Sequence, residues 1–245
     1  MSGRVVCALA LLIVCGSALA AADQGAGPGI SKDEETALSA RLVKARELIE
    51  AHQPAKAIEA YLDPVIARYT EVYAASPRVV FCAREPAESL IYLLAVAGAG
   101  AKGAPAGEAI VIGPNWADAY LLKGYAQVEL GDRTAAEATL KRAVALSPQD
   151  PQYLSELACV TQQLGASAEA LTLYASAQDA AALLGDAGRK RAESARACRG
   201  QGYALVELKR LDEAEAKYLS CIAIDPADRI SPGELEYVRK LRAGK

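Results

Sequence analysis

ADAYLLKGYAQVELGDRTAAEATLKRAVALSPQD, residues Ala117 to Asp150, is the stretch whose reading decides the fold. It predicts two short amphipathic helices joined by a tight turn at Gly131-Asp132. Tyr120, Gly124, Ala136, Leu140, Ala143 and Pro148 stand at fixed offsets within it. Shifted by one unit length, the pattern returns as Leu154, Leu157, Ala158, Gly165, Ala170, Tyr174 and Ala177. It returns once more, further on, as Cys198, Gly202, Ala214, Tyr218, Cys221 and Pro226. Three frames are therefore laid out at 117–150, 151–184 and 195–228.

The residue types explain the offsets. Gly124, Ala158 and Gly202 have little or no side chain, so a first helix and its returning partner can approach closely. Ala136, Ala170 and Ala214 allow the same from the facing helix, while Leu140, Tyr174 and Tyr218 fill the space beside them. One such hairpin cannot bury its apolar face alone, so neighbours must stack and share a core. Pro148 and Pro226 follow the second helix, where proline stops it. On these residues the chain resembles the tetratricopeptide-repeat family, of an exported bacterial type. The resemblance implies an all-α solenoid of helix-turn-helix repeats.

Towards the amino terminus, Arg4 precedes an apolar run from Val5 to Val14, and small residues follow through Ala22. This pattern predicts a secretory signal over 1–22, with Ala18-Leu19-Ala20 as one cleavage site and Ala22 as another. The run is too short for a membrane span. Cys15 raises a lipid anchor, but Val14 stands where such signals carry Gly, Ala or Ser, which argues against one. A periplasmic or secreted location is expected. Residues 23–36 are divided off as a flexible leader around DQGAGPGIS, with Ser31 placed to cap a helix that opens KDEE and runs to about Ala51.

Residues 37–114 read as degenerate hairpins of the same kind. Leu38, Leu42, Ala45, Leu48 and Ile49 give one apolar helix face. Pro54 opens the return helix, which Pro64 should kink or split at Asp63. Val79, Val80 and Phe81 are too short a run to claim as a sheet. Pro86 starts a helix through Leu90, Leu93, Leu94 and Ala97, GAGAKGAPAG (98–107) breaks it as a loose loop, and 108–114 reads as the shortened end of a second helix. Between the second and third clear frames ten extra residues must fit near 183–194. Either the flanking helices are lengthened or Gly185 to Gly188 loops out. A last helix over 231–242, with Pro232 in its first turn, reads as the cap of the 115–245 array.

Chemistry of enzymatic type is poorly supplied. The chain has one histidine, His52, beside Pro54 at a helix end where the dipole favours it. That excludes an ordinary multi-histidine zinc site and any Ser-His-Asp arrangement not built on His52. GAGAKGAPAG lacks both the preceding strand and the spacing of a phosphate loop. The net charge is -3 and no basic stripe with interleaved aromatics occurs, so nucleic acid is a poor partner. No cofactor is expected.

The resemblance implies a concave groove built from the first helix of each repeat, binding a protein or peptide. Its groove positions would be Leu121 and Tyr125, with Asp118, Val128 and Glu129, in the first repeat. The second supplies Gln152, Ser155 and Gln162, with Cys159 and Gln163. The third supplies Arg196, Arg199 and Tyr203, with Val206 and Glu207. The two arginines would suit an acidic group on a peptide with an apolar anchor. The lysine and asparagine set by which chaperone-binding members clamp a terminal carboxylate is absent. Three function classes follow: an adaptor, a structural subunit that self-associates or joins an envelope assembly, and an enzyme of unrecognised type.

In the third repeat frame, Cys198 and Cys221 sit on opposite helices with the turn midway, side by side at the open end of the hairpin. They form a candidate disulfide if the chain meets an oxidising compartment; otherwise each fills the core as a small apolar residue. Cys82 and Cys159 have no such pairing argument and are expected reduced.

Overall fold

The computed structural model describes residues 29–101 and 108–244. The signal segment, Cys15 and most of the leader lie outside the described residues. The fold is an all-α helical-repeat solenoid carrying one small strand-helix-strand insertion. Helix α1 spans Lys32–Glu50, and the Ser31 hydroxyl accepts a hydrogen bond from the Glu34 amide at 3.2 Å. Asp33, Glu34 and Glu35 add favourable charge to its first turn. The cap acts earlier than the leader boundary at 36, so residues 32–36 are helix. Leu38, Leu42, Ala45 and Ile49 form the buried face. Past the C-cap Ala51, His52 turns the chain with a left-handed φ of 55°.

The return helix runs as α2 (Pro54–Ala57), a π turn (Ile58–Leu62) and α3 (Asp63–Tyr73). Pro64 neither splits nor ends it. Proline has no N–H and crowds the carbonyl four residues back, here Ala60. Widening the preceding turn, so that the Asp63 amide bonds to the Ile58 carbonyl, absorbs the misfit within a continuous helix.

The next segment corrects the expectation of a second decayed hairpin. Strand β1 (Val79–Cys82) pairs in parallel with β2 (Ala109–Ile112), in the register Val79↔Ala109 to Cys82↔Ile112. Helix α4 (Pro86–Ala101) is the crossover between them. Residues 108–114 therefore do not end a helix; Ile110, Val111 and Ile112 suit a pleated strand. Gly98 and the residues to Ala101 continue α4, and the rest of that glycine-rich stretch is outside the described residues. The Phe81 ring stacks on Tyr92 at 4.8 Å, and Cys82 is buried in the main core.

The array follows as α5 (Asn115–Glu129), α6 (Arg133–Leu146), α7 (Pro151–Gln163), α8 (Ser167–Ala182), α9 (Ala187–Glu207), α10 (Leu211–Ile224) and the final α11 (Ser231–Arg242). Gly131 and Gly165 turn the first two hairpins with φ of 84° and 90°; Lys209 takes φ 61° at the matching point of the third. Close approach is real where the small residues required it. A Cβ on Gly202 would stand 2.6 Å from the Tyr218 ring, and one on Gly124 would stand 2.8 Å from Leu140. The ten extra residues lengthen the helices: α9 begins eight positions before the repeat frame, and Asp186 caps it by accepting from the Arg189 amide.

Cys198 and Cys221 are joined by a disulfide with Cα atoms 5.6 Å apart. Cys82 is a free, buried thiol. Cys159 is disulfide-bonded, against the expectation that it stays reduced. Pairing arguments drawn within one hairpin are blind to a bond made elsewhere.

Candidate protein-binding groove

Helices α5, α7 and α9 lie in sequence along the array and supply the groove positions. They do not present them equally. Leu121 is 3 % exposed and belongs to the main core, so it packs and does not contact a partner. Ser155 and Gln162 are likewise buried. Tyr125, Gln152, Arg196, Arg199 and Tyr203 are half-buried.

Side chains from the three helices meet in one polar cluster. Arg196 Nη1 donates to Glu156 Oε1 at 2.5 Å, with Glu193 Oε2 at 3.6 Å from Arg196 Nε. Gln152 Nε2 lies 3.5 Å from the Tyr125 hydroxyl. Burial pushes the Glu156 and Glu193 carboxyls above the ordinary carboxylate range, against the opposing pull of Arg196. Burial also pushes the Tyr125 phenol well above its usual value. Glu156 was missed in the sequence because it sits beside a groove position, at the offset that meets the next repeat.

The two arginines are not a free cationic pair. Arg199 Nη1 lies 3.2 Å from Asp228 Oδ2, and Arg196 is held by Glu156. A half-buried guanidinium is costly to leave unpaired, so the chain supplies its own carboxylates. Tyr203 reaches Glu234 of α11 at 3.5 Å. On α7, by contrast, the Ser155 hydroxyl and both amide atoms of Gln162 are buried with no hydrogen-bond partner.

The start of the groove is held by the insertion. Arg84, just after β1, donates from Nε to Asp150 Oδ2 at 2.9 Å and from Nη1 to Asp118 Oδ2 at 3.1 Å. Its Nη2 donates to the Tyr153 hydroxyl at 2.8 Å and also reaches Asp118 Oδ1; the hydroxyl in turn donates to Asp118 Oδ1 at 2.9 Å. Arg189, in the added turns of α9, bonds Asp150 Oδ2 and Glu85 Oε1, both at 3.1 Å. Asp118 thus fastens β1 to α5. Glu129, another groove position, is bonded to His52 Nδ1 at 2.6 Å. Among the described residues no group of three or more His, Cys, Asp and Glu could hold a metal ion, and no helix is long and apolar enough to cross a membrane.

These stacked hairpins, with a small residue at each helix crossing, define the class. The tetratricopeptide-repeat family model matches residues 117–150 and 195–228, so these two stretches are tetratricopeptide repeats. No curated protein matches the sequence. Similar solved structures include TTC0263, a thermophilic TPR protein of Thermus thermophilus, 17 % identical over 82 % of this chain and 98 % of that one, TM-score 0.42. A second is the first TPR of Spaghetti (RPAP3) bound to the HSP90 peptide SRMEEVD, 19 % identical over 52 % of this chain and 95 % of that one, TM-score 0.40. A third is a tetratricopeptide repeat protein from Parabacteroides merdae, 14 % identical over 86 % of this chain and 75 % of that one, TM-score 0.37.

Proposed function

We propose that the chain is a non-enzymatic adaptor that holds a protein or peptide segment against the groove helices, with α7 at the centre. The observation that carries this reading is the half-open set of groove positions that α5, α7 and α9 bring together: Tyr125, Gln152, Arg196, Arg199 and Tyr203 keep part of their surface in solvent, whereas Leu121, Ser155 and Gln162 form the floor. The Gln152 amide, whose contact with the Tyr125 hydroxyl is a long 3.5 Å, suits the peptide groups of an extended segment, and the half-buried rings of Tyr125 and Tyr203 suit its apolar side chains.

Gln152→Leu keeps the volume and removes the amide. Selection from a displayed peptide library, followed by calorimetric titration of the selected peptide, should show affinity reduced at least about tenfold, equal to about 1.4 kcal/mol, with stability within about 0.5 kcal/mol of the parent chain. Unchanged affinity in a folded variant would remove α7 from the site.

The same reading places the protein in an exported compartment. Arg4 with the apolar run that follows it supports this, as does the Cys198–Cys221 disulfide. Amino-terminal sequencing of the protein from the envelope or medium should begin near Ala21 or Asp23; a cytoplasmic chain that retains Met1 contradicts export.

A further inference from the structure

One cluster in the groove holds more negative charge than the fold neutralises. Glu156 of α7 and Glu193 of α9 converge on the same guanidinium. Arg196 Nη1 donates to Glu156 Oε1 at 2.5 Å, whereas Arg196 Nε lies 3.6 Å from Glu193 Oε2, too far for a hydrogen bond. Glu193 Oε2 is buried and accepts no hydrogen bond, and only 7 % of that side chain is exposed. One guanidinium therefore serves two carboxylates. The neighbouring cations are already engaged: Arg189 pairs with Asp150 and Glu85, and Arg84 with Asp150 and Asp118. Burial raises the Glu156 and Glu193 carboxyls even against the pull of Arg196. A buried carboxylate without a counter-ion is costly, so a cation arriving here is favoured.

The cluster is open to the groove. Glu156 keeps 16 % of its side chain in solvent and Arg196 keeps 22 %. Half-buried Tyr125 of α5 places its hydroxyl beside the Glu156 carboxyl, and an aromatic ring next to a carboxylate suits a cation. The groove keeps the same sign further along. Glu207 accepts from the Ser167 hydroxyl at 2.6 Å, and Glu234 meets the Tyr203 hydroxyl at 3.5 Å; neither pairs with a cation among the described residues. Arg199, one turn beyond Arg196, is taken by Asp228. An acidic segment would bring like charges together here, whereas a basic one meets carboxylates without displacing an internal pair.

We propose that the segment held in the groove carries a lysine or arginine whose side chain docks at the Tyr125–Glu156–Glu193–Arg196 cluster as its missing counter-ion. This rests on the groove reading above, and it reverses the charge that Arg196 and Arg199 imply in the sequence. Glu156, the more open carboxylate, receives the incoming cation. Arg196 then serves Glu193, its neighbour one turn earlier on α9.

Peptides selected on the full chain from a displayed random library should be enriched in lysine or arginine at one position. Replacing that lysine by norleucine, or that arginine by citrulline, should weaken binding at least about tenfold in calorimetric titration. Glu156→Gln should weaken the parent peptide similarly, and the peptide replacement should then cost little more, because the two changes remove one interaction. Should Glu156→Gln fail to fold, Glu193→Gln gives the same readout, since it leaves the Glu156–Arg196 pair in place and removes the excess charge. Selected peptides that lose affinity with Gln152→Leu but lack a basic residue overturn this inference and leave the groove reading standing. So does a basic residue whose replacement costs as much in the folded Glu→Gln variants as in the wild type. Peptides indifferent to Gln152→Leu, or a library that yields no binder, overturn the groove reading and this inference with it.

Discussion

Helices α4 and α7 show how little composition alone decides burial. The α4 sequence is almost entirely apolar, whereas α7, PQYLSELACVTQQ, mixes apolar residues with glutamines, a serine, a threonine and an acid. Yet ten of the thirteen α7 residues are buried, including Ser155, Thr161 and Gln162. On α4 only Tyr92 is buried among the described side chains. The difference is position. Helix α7 is packed by hairpins on both sides, α6 before it and α8 and α9 after it, so even its polar positions are shut away. Helix α4 bridges two four-residue strands, and among the described residues its main packing partners are those strands, β1 and β2. Stacking buries whatever the repeat presents; an insertion buries only what its own docking contacts reach.

If this contrast is right, the insertion depends on its few buried polar links more than on its apolar surface. Arg84→Ala should have the largest effect, because Asp150, 1 % exposed at its side chain, and Asp118 would lose their shared guanidinium. Breaking such a pair by removing one partner costs about 3–5 kcal/mol, read from urea unfolding. A loss under about 1 kcal/mol would mean that surface salt-bridge energetics govern this cluster.

The apolar half of the comparison is tested by paired truncations. Leu157→Ala in α7, where the side chain is 3 % exposed, should cost about 2–5 kcal/mol. Leu94→Ala in α4 should stay within about 0.5 kcal/mol. Equal losses at the two sites would show that α4 is covered within the monomer.

The smallest effect concerns the buried charge cluster. Burial raises the Glu193 carboxyl, so the folded chain holds that proton more tightly than the unfolded chain. Its favourable contribution is complete below the ordinary carboxylate pKa and is lost as pH rises through the raised value. Its Oε2 has no hydrogen-bond partner in the ionised arrangement. Glu193→Gln should therefore raise stability near neutral pH by about 1 kcal/mol and flatten the rise in stability toward acid. A variant less stable than wild type at neutral pH would show that the Arg196 contact outweighs desolvation.

The repeat array was legible because its signal is local and recurrent. Gly124, Ala158 and Gly202, each with its facing alanine, mark helix crossings by size alone, and Gly131 and Gly165 mark turns by their backbone. The Cys198 and Cys221 positions followed from the same frame. The strand pair was not legible. Four-residue runs such as Val79–Cys82 and Ala109–Ile112 have no period to read, and each becomes a strand only because the other lies beside it. The Glu156–Arg196 pair and the Arg84 cluster were missed for a related reason: their partners lie 40 and up to 69 residues apart.

By itself, then, the amino-acid sequence determined the hairpin, its length, its close helix crossings and the need for hairpins to stack. Each of these follows from side-chain volume and backbone freedom at neighbouring positions, which are properties of a short stretch. Tertiary structure alone decided which groove positions are floor and which are half-open, that Arg196 and Arg199 are already paired, and that α4 keeps its leucines in solvent. Those outcomes depend on which distant groups arrive at a surface and displace its water. No local pattern carries that information, because burial and charge pairing are set by the neighbours across the fold and not by those along the chain.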